Sequence, residues 1–117
     1  MVGLVHDTQR EMLRAQFDEA LLELRATHPG IRRRALAHYA QSLKTLGPRY
    51  RLAWPLQRWL MMAACRRRVV RLWDTDRWPV ALGLCLACFV LKAEALDGED
   101  GARMRQALNH AIDLQGP

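Results

Sequence analysis

From Trp78 to Leu91 the chain runs fourteen residues without a charged side chain, and Lys92 closes the run. So apolar a stretch has to leave water. A bilayer-spanning helix needs about 20 such residues, so fourteen fits the buried central helix of a globular domain, wrapped by the rest of the chain. No strand pattern offers another wrapping. Val69-Val70 is the only β-branched pair inside an element, and no two-residue hairpin turn such as Asn-Gly occurs. The expected fold is therefore all-α: a compact bundle of about five helices in a single domain, residues 1–117. A chain of this length buries roughly two-thirds of its unfolded surface, and its 50% hydrophobic content excludes disorder over most of its length.

Caps and breakers divide the chain into five segments. Thr8 and Glu11 have the spacing of a capping box, so the first helix is expected to start at Thr8. Leu13, Phe17, Ala20, Leu21 and Leu24 give it an apolar stripe, and His28-Pro29-Gly30 stops it. The second helix is expected over about 31–46, ended by Gly47-Pro48. Pro55 suits the first turn of a third helix, which is apolar almost all round as far as Cys65 and basic beyond it. A helix apolar on every side belongs at the centre of a core. The first half of this helix is thus expected there, together with the fourth. Asp74-Thr75-Asp76 offers N-caps for that fourth helix, which runs to about Leu96 and stops at Asp97-Gly98. Glu99 and Asp100 favour the start of a fifth, with Met104, Leu108, Ala111 and Ile112 facing inward. The Asp97–Asp100 cluster lacks the ligand pattern of a calcium loop and is expected to be a cap and a solvated turn. Trp54-Pro55 and Trp78-Pro79 echo each other 24 residues apart, outside the ~33–47-residue periods of the common helical repeats. They are expected to be two uses of one good helix start.

Charge is partitioned along the chain. Residues 1–30 carry three Arg against five acids, and residues 79–117 carry three cations against five acids. Residues 31–78 hold twelve Lys and Arg, eleven of them Arg, against Asp74 and Asp76 alone. All four Trp and both Tyr fall in or at the edge of this middle segment. Most of the Trp are expected in the core, with at least one of Trp73 and Trp78 partly exposed. Arginine makes bidentate contacts with carboxylate or phosphate, and aromatic side chains beside Arg mark protein interfaces as readily as nucleic-acid sites. Three fates follow for the arginines: an acidic or helical protein partner, nucleic acid, or neutralisation by the acidic end segments or by a second copy of the chain. A helix-turn-helix unit is disfavoured, because the segment from Gly47 to Trp54 exceeds its short turn. The arginines of the third helix also do not share one face: Arg67, Arg68 and Arg71 cluster within about 100°, while Arg66 and Arg58 point elsewhere.

No catalytic constellation is present. There is no H-E-x-x-H, no nucleophile motif and no Gly-rich phosphate loop, so no enzyme activity and no cofactor are expected. Cys85 and Cys88 have C-x-x-C spacing, but no second ligand pair completes a zinc site. They lie mid-helix, away from an N-terminus that would lower a thiolate pKa, and are expected to be small buried core residues. Met1 to Arg10 does not resemble a secretory signal, and the free thiols suit a reducing cytoplasm. The expected function is a non-enzymatic interaction module, a regulator, adaptor or secretion accessory. It would bind an acidic or helical protein, or a second copy of itself, through Arg66, Arg67, Arg68, Arg71, Trp73 and Arg77. Nucleic-acid binding by the same arginines is the alternative, and no membrane partner is expected.

Overall fold

The computed structural model describes residues 2–115. Five helices follow in order: α1 (Val2–Ala26), α2 (Pro29–Leu52), α3 (Pro55–Trp73), α4 (Trp78–Leu96) and α5 (Gly98–Asp113). No strand occurs among the described residues. Helix α4 is apolar and long enough to cross a membrane, yet most of it is buried by the other four. Leu82, Leu86 and Val90 are fully covered and meet Leu24 of α1, Tyr39 of α2 and Leu108 of α5 in one cluster. Each such side chain contributes about 1.5–3 kcal/mol by leaving water. That core is what takes the fourteen-residue apolar run out of contact with solvent.

The neighbours of α4 have definite directions. Gly83 lies against Ala35 and Tyr39, and eleven residues later along α4 Glu94 meets Arg51, so α2 runs parallel to α4. Leu72 packs beside Val80 and Ala81 while the Cys65 thiol neighbours that of Cys88, so α3 runs antiparallel to it. Arg10 and Arg14 reach Asp97 and Asp100, which makes α1 antiparallel as well. Helices α2 and α4 come into backbone contact at Gly83. A Cβ there would lie 2.4 Å from the Ala35 carbonyl oxygen and 2.7 Å from the Tyr39 nitrogen. Only glycine lets the α2 and α4 backbones touch in this way.

Several expected boundaries move. Helix α1 continues upstream through Thr8 to Val2, so the Thr8–Glu11 capping box does not open it. Helix α2 starts at Pro29, with the His28 Nδ1 accepting from the Gly30 N–H at 3.1 Å, and it does not stop at Gly47-Pro48. It passes through Pro48 to Leu52 although proline lacks the N–H that would bond Lys44. Tertiary contacts hold the extra turn: Tyr50 is buried, and Arg58 of α3 donates to the Tyr50 and Arg51 carbonyl oxygens, each at 2.9 Å. Trp54 is the N-cap of α3 whereas Trp78 is already the first residue of α4, so the two Trp-Pro starts differ in register. Neither Asp74 nor Asp76 caps α4. Thr75 spans that junction instead, its hydroxyl donating to the Leu72 carbonyl and accepting from the Arg77 N–H.

Two further corrections concern burial. Asp97 does cap α5, accepting from the Glu99 and Asp100 N–H groups, but Asp100 is buried and not a solvated turn residue. Arg14 grips both Asp100 oxygens at 2.9 Å, and Arg10 bridges Asp100 and Asp97. The hydrogen bond from Arg14 holds the Asp100 carboxyl below its ordinary pKa against the opposing effect of burial. The first half of α3 is not central: Leu56, Trp59 and Leu60 are 68%, 66% and 52% exposed. Its second half packs on α4, through Cys65, Val69, Leu72 and Trp73.

Candidate partner-binding site

The exposed half of α3 follows an exposed junction, since Leu52 and Trp54 are 87% and 75% exposed. Leu52, Trp54, Leu56, Trp59 and Leu60 therefore form a run of large apolar side chains in water. Two of the four Trp lie in it, contrary to a mostly buried set; Trp73 and Trp78 are half-buried as an edge-to-face pair, centroids 6.4 Å apart. Scattered exposed hydrophobes are ordinary on a monomer, but a contiguous set marks an interaction surface.

Helices α1 and α3 both pack on α4 while scarcely touching each other, and a groove of about 740 Å³ opens between them. Gln16, Glu19, Ala20 and Glu23 face it from α1. Trp59, Met62, Ala63, Arg66 and Arg67 face it from α3. Its floor is the Cys85, Cys88, Phe89 and Lys92 stripe of α4. Cys85 and Cys88 are thus half-buried groove residues and not fully enclosed core. The third thiol, Cys65, is the buried one. The neighbouring Cys88 thiol favours the Cys65 thiolate, lowering the Cys65 pKa while that of Cys88 rises, and burial pushes Cys85 up to about 11. No cluster of three metal-ligating side chains exists among the described residues.

Two groups stand out among the arginines of the middle segment. Arg32 and Arg58 are structural. Arg32 donates to the Leu24, Arg25 and Thr27 carbonyl oxygens at the end of α1, and Arg58 does the same for Tyr50 and Arg51 at the end of α2. Arg58 also lies over the Tyr50 ring, 5.1 Å from its centre. Each follows a helix-opening proline by three residues, Pro29 to Arg32 and Pro55 to Arg58, which places the guanidinium beside the last carbonyls of the preceding helix. That repeat was visible in the sequence, although counting charge alone passes over it.

The second group is solvent-facing. Arg66, Arg67, Arg68, Arg71 and Arg77 are exposed, and none has a carboxylate within ion-pair distance among the described residues. The acids of the chain ends do not neutralise them. Asp97 and Asp100 pair with α1, Glu94 pairs with Arg105 and Arg51, and Glu19 and Glu23 stand across the groove from Arg66 and Arg67 without closing on them. The six side chains expected to form one site do not share one patch. Arg66 and Arg67 face the groove. Arg68 and Arg77, with Arg34, lie close enough to half-buried His38 to add to the lowering of its pKa that burial begins. Trp73 is half-buried and packed against the core. Sequence reasoning overlooked Trp54, Leu56, Trp59 and Leu60, because an apolar helix reads as core until its neighbours are known.

No known protein family, curated protein or solved structure matches this chain.

Proposed function

We propose that this chain is a non-enzymatic interaction module of the cytoplasm that holds an acidic protein partner against α3. The observation behind this is the juxtaposition, on one helix, of exposed Trp59 and Leu60 with the unpaired arginines from Arg66 to Arg71. Apolar and aromatic anchors beside Arg are the composition of interface centres. Carboxylates of a partner would satisfy guanidinium groups that the fold leaves to water. Like charges one turn apart, Arg67 and Arg71, destabilise a helix by a few tenths of a kcal/mol, and an acidic surface relieves that repulsion.

The test is the triple variant Arg67→Gln, Arg68→Gln, Arg71→Gln. Its melting temperature should hold or rise, since no intramolecular ion pair is lost, while its affinity for an acidic amphipathic peptide collapses. Duplex and single-stranded oligonucleotides at 50 and 200 mM salt form the competing arm. Binding to them that outranks the peptide and falls steeply with salt would assign the arginines to phosphate and overturn the proposal.

A further inference from the structure

The groove between α1 and α3 has the form of a missing helix. Its α1 and α4 walls each present residues at i, i+3, i+4 and i+7, and the α3 wall continues the same spacing from Trp59 to Arg67. Seven to eight residues of helix extend about 10–12 Å, so the slot is about two turns long. Ala20 and Ala63 on its sides are small enough to admit another backbone closely, and Met62 and Phe89 offer apolar contact. The rims carry opposite charge: Glu19 and Glu23 on α1, Arg66 and Arg67 on α3. No ion pair links the rims among the described residues, so the two charged edges stand too far apart to satisfy each other.

We infer that this slot seats an amphipathic helix of a protein partner, with acidic side chains along its α3 flank and basic side chains along its α1 flank. The inference rests on the proposed docking function and specifies its partner. An apolar face would cover Trp59, Met62, Ala63 and Phe89, the helix-in-groove mode of recognition. A partner acidic on both flanks would set carboxylates against Glu19 and Glu23. A second copy is a poor occupant through α3, because that helix contains no acid to meet Arg66 and Arg67.

Three fluorescein-labelled 18-residue helical peptides with one Leu/Ala face test this by anisotropy. One carries Glu on one flank and Lys on the other, one Glu on both, and one Lys on both. Reversing a helix exchanges its flanks, so whichever flank carries Glu, the mixed peptide matches both rims in one of its two directions. The wild-type protein should bind the mixed peptide about five- to ten-fold more tightly than either uniform peptide, as expected for two additional exposed charge pairs. The variant Glu19→Lys, Glu23→Lys alters only exposed side chains and should shift the preference to the all-Glu peptide. If the wild type already prefers the all-Glu peptide, the two-walled slot is wrong while the acidic-partner function stands. If no peptide binds, both fall. Sedimentation of the wild type gives the last outcome: a dimer that Ala63→Phe dissociates, without loss of melting temperature, would assign the slot to a second copy and overturn the inference.

Discussion

The substitution Gly83→Ala isolates the contact on which the bundle is built. An added Cβ would stand 2.4 Å from the Ala35 carbonyl oxygen, 2.7 Å from the Tyr39 nitrogen and 2.8 Å from the His38 Cβ. Two of these atoms belong to the α2 backbone, so no rotamer change relieves the clash and the helices must separate. Overpacking of this kind costs typically ~1–3 kcal/mol, and a clash with backbone belongs at the upper end. Opposing it, alanine is favoured over glycine inside a helix by about 1 kcal/mol. The net expectation is a loss of about 2 kcal/mol. With an unfolding entropy of roughly 2.1 cal/mol/K per residue, a chain of this length loses about 8 °C in Tm. Thermal melting by circular dichroism reads the shift, and urea titration should show a lower midpoint with an unchanged slope. Gly98→Ala is the internal control. Nothing lies within 4 Å of its added Cβ in the first turn of α5, so stability should hold or rise by up to ~1 kcal/mol. Gly83→Ala melting at or above the wild-type temperature would refute the backbone contact between α2 and α4, and the parallel packing of these helices with it.

The Asp100 cluster makes stability pH-dependent in a definite sense. A carboxyl whose pKa is lowered in the fold adds stability that is present above its unfolded value, about 3.9, and is lost as pH falls through the lower folded value. Asp100→Asn should therefore melt below wild type at pH 7, with the gap closing towards pH 2; a gap of constant size would refute this assignment. Arg58→Ala removes two charge-assisted hydrogen bonds to the end of α2 and should cost about 1–2 kcal/mol. Faster amide exchange in the last turn of α2 should accompany the loss, and unchanged exchange there would show that Pro48 is bridged by something else.

Much of the fold is decided by local rules acting on neighbouring residues. Pro29, Pro55 and Pro79 suit first turns and sit in them, and Asp97 separates α4 from α5 by capping the latter. The run from Trp78 to Leu91 had to be internal, because nothing else shields so much apolar surface. Even the arginines of α3, the better part of the candidate site, are legible as charge without a sequence-local partner.

Tertiary structure decided what depends on pairs of distant residues. Pro48 ends a helix by local preference, yet α2 passes through it because buried Tyr50 and the guanidinium of Arg58 stabilise the next turn. Asp100 reads as a solvated turn residue until Arg14, 86 positions away, is folded onto it. The largest difference lies in α3. Leu56, Trp59 and Leu60 have the composition of a core, but composition states only that these side chains are better placed away from water. Whether they are covered depends on how many helix faces α4 can present. In this chain its surface is shared among α1, α2, α5 and the second half of α3, leaving the first half of α3 as one wall of an open slot.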